Sequence, residues 1–212
     1  MTKRIRRAQN VLLRAEMKSI VLAFSLIASV VAHARPLPRP DHIVIDENKS
    51  FSDVIGSKQA PYLNALAGRG ALLTNFTAAH HPSQPNYVDF FAGSTLGVCD
   101  DRCIPVPFAA NNLAAALFAK PGLSFAGYAE ELPAKPVCDL NGFAKRHCPW
   151  MDFSNVPAAA TMDLSKFPTD FRKLPTVSFV IPNLVHDMHD GKAVATEVGT
   201  GDRWLRRKLA AY

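Results

Sequence analysis

His80-His81-Pro82-Ser83-Gln84-Pro85-Asn86-Tyr87-Val88-Asp89-Phe90-Phe91-Ala92-Gly93 reads as the end of a strand, a tight turn and a short helix. Tyr87, Phe90 and Phe91 fall at i, i+3 and i+4, the apolar stripe of a helix laid on a sheet. Gly93 stands where a C-terminal cap is expected, Ser83 at the N-cap, and Pro85 in the first turn, where a missing N–H costs nothing. A hydroxyl is therefore expected at the positive end of a helix, with the Asn86 amide one turn behind it. That arrangement suits an anion, and phosphate in particular. Position alone leaves Ser83 equally readable as a simple cap; its company of histidines and acids favours chemistry.

Working outward, His42-Ile43-Val44-Ile45 reads as a buried strand that runs into Asp46-Glu47-Asn48. Ala60 to Leu66 is expected to be helical, Ala71 to Phe76 a strand, and Asn111 to Lys120 a second helix closed by Pro121-Gly122. Leu123 to Tyr128 is a strand delivering Glu130 and Glu131, and Thr176 to Ile181 is the clearest strand of all. The latter empties into Asn183-Leu184-Val185-His186-Asp187-Met188-His189-Asp190-Gly191. A last helix is expected from Asp202 to Tyr212. Strands alternating with helices give an α/β domain with at least some parallel strands. Polar clusters after Ile45, Phe76 and Ile181 would then meet at one edge of the sheet.

Composition narrows the partners. Of the formal charge of +6, residues 1–34 carry +5, which leaves residues 35–212 at +1. A nearly neutral domain gives no support for a nucleic-acid partner. The leader has basic residues, an apolar run from Ile20 to Val31, and Ala32-His33-Ala34 before Arg35-Pro36. Those three parts make a secretory signal, with residues 1–16 read either as an over-long basic region or as the product of a misplaced start codon ahead of Met17-Lys18, and cleavage expected after Ala34. The apolar run is short for a bilayer span, so no stable membrane anchor is expected after its removal. Residues 35–212 then form one domain, exported to the periplasm or secreted. Four cysteines agree with export, and the expected pairs are Cys99–Cys103 and Cys138–Cys148, because each closes a local loop.

The chemistry follows from residue types. A serine hydroxyl needs a base, a lowered pKa or a metal to act as nucleophile. No G-x-S-x-G elbow, H-E-x-x-H, Walker loop or G-x-G-x-x-G occurs in the chain. Glu47 and Asn48 offer hard oxygen ligands, and Ser83 could complete part of a divalent metal shell. Asn86, Lys145 and Arg146 are candidates for holding phosphate oxygens. His147 or His189 could protonate a leaving alkoxide.

Five ordered segments carry a resemblance: Ile45 through Phe51, His81 through Tyr87, Gly127 through Pro133, Lys145-Arg146-His147, and Ile181-Pro182-Asn183 through Asp187–Gly191. Together they resemble the bacterial phosphoesterase family of acid phosphatases and phospholipase-C-type enzymes, within the alkaline-phosphatase-like superfamily. The resemblance implies an alkaline-phosphatase-like sheet flanked by helices. It also implies Glu47 and Asn48 as metal ligands and Ser83 as the residue phosphorylated in turnover. Asn86, His147 and His189 would lie near the phosphate. Family members continue past the helix near Asp202 into a strand with an Asp-rich metal-binding segment. Here the chain stops at Tyr212, which reads as a C-terminal truncation. The expected function is hydrolysis of small phosphate monoesters. The alternatives are phospholipase C or another phosphodiesterase, and an inactive exported phosphate-binding domain.

Overall fold

The computed structural model describes residues 41–135 and 137–211. The leader expected at residues 1–34 lies outside the described residues. In chain order the strands are β1 (Asp41–Val44), β2 (Phe125–Ala129), β3 (Asp139–Leu140), β4 (Phe143–Ala144), β5 (Thr161–Asp163) and β6 (Val177–Ile181). The α-helices are α1 (Phe51–Val54), α2 (Pro61–Arg69), α3 (Ser83–Ala92), α4 (Leu113–Phe118) and α5 (Val194–Leu209). Four strands form the central sheet in the order β1-β6-β2-β5, all parallel, while β3 and β4 make an antiparallel hairpin. The α/β expectation is therefore met, with helices flanking a parallel sheet.

A parallel sheet covered on both faces needs strands that are apolar on both sides. Strand β2 is buried at all five positions and β6 at four of five. Phe125, Ala129, Phe179 and Ile181 face one core with Phe91, Phe153 and Trp150. Ala126, Tyr128 and Val180 face the other, with Trp204, Leu205 and Val198 of α5. Each such large side chain contributes roughly 1.5–3 kcal/mol on burial. Gly127 makes room for the first core: a Cβ there would sit 2.0 Å from Trp150 Cε2.

Strands β1, β2 and β6 lie one residue or so from their expected positions. Four other expectations are corrected. Ala71 to Phe76 forms no strand; the segment is exposed, with Leu73 at 67% and Phe76 at 77%. Its apolar run suggests a strand, but no neighbouring strand supplies backbone partners among the described residues, and an unpaired strand is not stable. Helix α5 begins at Val194 rather than Asp202. Gly199 and Gly201 lie inside this helix at close-approach positions, since a Cβ on Gly201 would stand 2.5 Å from Met188 Cε. On α3 the buried side is Tyr87, Val88 and Phe91, while Phe90 is 56% exposed. Ser83 is the first residue of α3, behind the cis His81–Pro82 bond, so it does not cap the helix.

The cysteine pairing also differs. Cys103 is bonded to Cys138, with Cα atoms 5.6 Å apart, leaving Cys99 free and exposed and Cys148 free and buried. Sequence proximity favoured local loops, but Cys148 is fully enclosed in the core beside β2 and β6. Packing decided the pairing. Among the described residues no helix is long and apolar enough to cross a membrane.

Candidate active site

Parallel order brings the carboxyl ends of β1 and β6 side by side, with Val44 opposite Val180. The chain leaving β1 carries Asp46, Glu47 and Asn48; the chain leaving β6 carries Asn183 to Asp190. The two loops are stitched together where the Glu47 N–H donates to the Asp187 carbonyl at 2.6 Å. Helix α3 then delivers Ser83 from a third direction. Its hydroxyl donates to Glu47 Oε2 at 3.0 Å, across 36 residues of sequence. Glu47 is 8% exposed. The expected nucleophile and the expected ligand carboxylate therefore meet.

Behind this pair lies a layer of buried polar groups. His147 is completely enclosed, stacked on the Tyr87 ring with centroids 4.8 Å apart. Its Nε2 lies 3.6 Å from Glu47 Oε1 and its Nδ1 3.2 Å from Asp187 Oδ2. Neither His147 nitrogen, nor Asp187 Oδ2, Asp46 Oδ1 or the Tyr87 hydroxyl makes a hydrogen bond in good geometry. Unsatisfied buried atoms are rare in folded proteins, and such a cluster marks a place where water, an ion or a ligand completes the shell. The crowding of carboxylates has a direct electrostatic result. Burial, then Asp187, then Glu47 push the Asp46 carboxyl up to about 8. Burial first, and the Glu47 charge second, raise the Tyr87 phenol well above its usual value.

The remaining expected residues fall in different places. His189 is partly exposed, its ring 6.0 Å from that of His147, with Nδ1 2.8 Å from Asp190 Oδ1 and its N–H donating to Asp187 Oδ1. Asn48 sits at the surface with φ +49°. The Asn86 amide clamps the turn: it accepts from the His80 N–H at 2.9 Å and donates to the carbonyls of His80 and Pro82. Lys145 is paired with the buried Asp152, and Arg146 with Asp139. Both cations line a cavity of about 20 Å³ together with Gln84, Asp101, Cys103 and Cys138. That is room for about one water molecule.

A divalent ion is the group the expected chemistry implies. Two of its expected ligands present hard oxygens 3.0 Å apart, about the spacing of adjacent ligands around a small octahedral ion. The orphaned Asp46 and Asp187 oxygens add negative charge behind them. Among the described residues no group of three or more His, Cys, Asp or Glu side chains converges as a full cage. The set therefore fits a partial shell, of the kind Mg²⁺ accepts when water and substrate supply the rest.

Asp187, Asp46 and Tyr87 are the participants that residue types did not single out. Asp187 touches Glu47, His147 and His189 at once. The signal was present in the dense polar run after Ile181, but that run holds two aspartates, and only the fold shows which is buried. Tyr87 read purely as part of an apolar stripe.

Comparison with known proteins adds independent findings. The model of the phosphoesterase family matches residues 56–212. A phosphatidylinositol-3-phosphatase of Mycobacterium tuberculosis is 43% identical over 205 residues, covering 91% of this chain and 67% of that protein. An acid phosphatase of Aspergillus fumigatus is 28% identical over 180 residues, covering 77% of this chain and 38% of its own. A phosphate-repressible acid phosphatase of Penicillium chrysogenum is 30% identical over 162 residues, covering 70% and 38%. The chain thus spans about two thirds of the bacterial relative and well under half of the fungal ones. No solved structure matches.

Proposed function

The chain belongs to the phosphoesterase family, and on that premise we propose that it hydrolyses small phosphate monoesters through a phosphoserine at Ser83. The observation that carries the reading is the hydrogen bond between the Ser83 hydroxyl and Glu47 Oε2. Ser83 Oγ attacks phosphorus, its proton passing to the carboxylate it already faces, and the bond from phosphorus to the alcohol oxygen breaks. The leaving oxygen takes a proton from His189, which unlike His147 is partly exposed and has Nδ1 held by Asp190. Water then attacks the phosphoserine, releasing inorganic phosphate and restoring the hydroxyl. His147, closed off from solvent, steadies Glu47 from behind. The positive end of α3, which Ser83 opens, favours the negative charge of the phosphate.

Glu47, Asn48 and Ser83 are the residues that would hold a divalent ion, which would lower the serine pKa and offset phosphate charge. Lys145 and Arg146, expected as phosphate clamps, are assigned here to the neighbouring cavity, because each already has a carboxylate partner. Export, and the absence of a membrane anchor once the leader is cleaved, stay part of the proposal; the disulfide supports it.

An exported phosphate-binding domain without turnover is the second reading, favoured by the absence of a three-residue cage among the described residues. Release of phosphate from an aryl phosphate, with Mg²⁺ or Mn²⁺ added, separates the two. Turnover that Ser83→Ala abolishes supports the phosphoserine route. Turnover that the substitution leaves intact removes it, and phosphate binding without turnover supports the second reading.

A further inference from the structure

Lys49 is the one cation of the Asp46–Ser50 loop, and its side chain is only 8% exposed. Its ammonium lies 3.0 Å from Glu197 Oε2 in the first turns of α5, and Glu197 is itself 11% exposed. The same ammonium donates to the Asn48 carbonyl at 3.2 Å. Asn48 has φ +49°, a left-handed conformation that asparagine adopts more readily than most residues, and its neighbours hold the turn there. The hold comes from two sides. The Glu47 N–H is fixed on the Asp187 carbonyl, and the Asn48 carbonyl is fixed on Lys49, which Glu197 anchors in turn.

Gly191 shows how tightly Glu197 is seated. A Cβ at Gly191 would lie 2.3 Å from Glu197 Cγ and 2.8 Å from its Oε1. Gly191 ends the loop that carries Asp187 and His189. Glu197 is therefore wedged between the loop after β6 and the loop after β1, the two loops that build the site. An ion pair this secluded resists screening by salt, unlike an exposed one.

We propose that Lys49 and Glu197 are positioning residues, an ion pair that fixes the Glu47–Asn48 turn against Ser83. This rests on the phosphoesterase reading, and it concerns a step that reading does not require. Neither residue touches the ester; each acts through the turn. A displacement of about 1 Å at a reacting group costs on the order of 10²-fold in rate, so a modest loosening of this turn is enough to matter.

The test uses the full chain with Lys49→Met, Lys49→Arg, Glu197→Gln and Gly191→Ala. Two readouts are taken: aryl phosphate kinetics with Mn²⁺, and amide hydrogen exchange followed by peptide. The expected result is a kcat about 10- to 100-fold lower in Lys49→Met and Glu197→Gln, with KM unchanged and Lys49→Arg restoring most of the rate. Exchange should quicken in the peptide covering residues 45–52, and not in β6. Gly191→Ala should quicken the same peptide by pushing Glu197 away. Unchanged kcat and unchanged exchange overturn the proposal. A raised KM with kcat retained also overturns it, because it means that Lys49 meets the substrate. Faster exchange throughout the chain overturns it in favour of a general stabilising role. Should the wild type and Ser83→Ala both fail to turn over the ester, the phosphoserine reading falls, and the exchange readout alone decides this one.

Discussion

Two clusters of charge flank the start of α3, and they have opposite characters. On one side stand Asp46, Glu47, Asp187 and His147 behind Ser83, with several buried polar atoms left without hydrogen bonds. On the other stand Lys145 with Asp152, Arg146 with Asp139, and Asp101 accepting from the Gln84 N–H. Three consecutive residues divide between them: Lys145 and Arg146 go one way, His147 the other. The turn they share is a single 3₁₀ turn, so successive side chains point in different directions. Charge that finds an opposite partner becomes scaffold. Charge crowded with its own kind stays available for a ligand.

The contrast is broken most severely at Ser83. Ser83→Ala should lower turnover by at least about 10³-fold. Stability should change by only about 1 kcal/mol, since one hydrogen bond to Glu47 is lost. Phosphate release and a thermal melt on the same preparation check both halves.

Lys145→Met should do the reverse, costing stability first. Asp152 is 1% exposed, and without Lys145 its charge is buried alone, a loss of about 3 kcal/mol at neutral pH. Burial already raises the Asp152 carboxyl above the usual carboxylate value, against the pull of Lys145. The folded chain therefore holds this proton more tightly than the unfolded chain. Protonation favours the fold at low pH, and that contribution is lost as pH rises through the raised value. The deficit of Lys145→Met relative to wild type should shrink as the solution is acidified. Denaturant titrations at neutral and at mildly acidic pH measure it; an equal deficit at both would contradict the assignment.

Asp139→Asn is a weaker lever. Asp139 is half exposed, so its pair with Arg146 is worth less than about 1 kcal/mol. The same titration should barely separate this variant from wild type. The smallest perturbation is chemical labelling. Cys99 is exposed, whereas Cys148 is buried with its thiol pushed well above the ordinary value by that burial. One thiol per chain should react in the native protein, and two after unfolding without reductant. No reactive thiol in the unfolded chain would mean that all four cysteines are paired and would contradict the two free thiols.

Legibility in the sequence followed the same division. Strands β2 and β6 were readable because runs such as Val177-Ser-Phe-Val-Ile181 are apolar on both faces, which only a covered parallel strand tolerates. The meeting of Glu47 and Ser83 was foreseeable because the resemblance named both, one just past the end of β1 and the other opening α3. The Asp187 hub was not readable, because burial at the end of β6 depends on how that loop folds back beneath β1. Ala71 to Phe76 misled for the opposite reason. Its short apolar run looks like a buried strand, but such a run does not by itself choose a strand, and without a strand neighbour it forms no sheet. The pairing of Lys145 and Arg146 was hidden because their partners, Asp152 and Asp139, look like ordinary loop acids.

The parallel register has one more consequence, for the order of events as the chain is made. Strand β1 is translated early, yet its sheet neighbour is β6, so Asp41 waits for Val177 before it can pair. Contacts so distant along the chain are slow to form and close large loops. A chain ended near Leu174 would hold both Ser83 and Glu47 yet lack β6, the strand that joins β1 to β2. Completion of the sheet therefore waits on residues close to the end of the described chain.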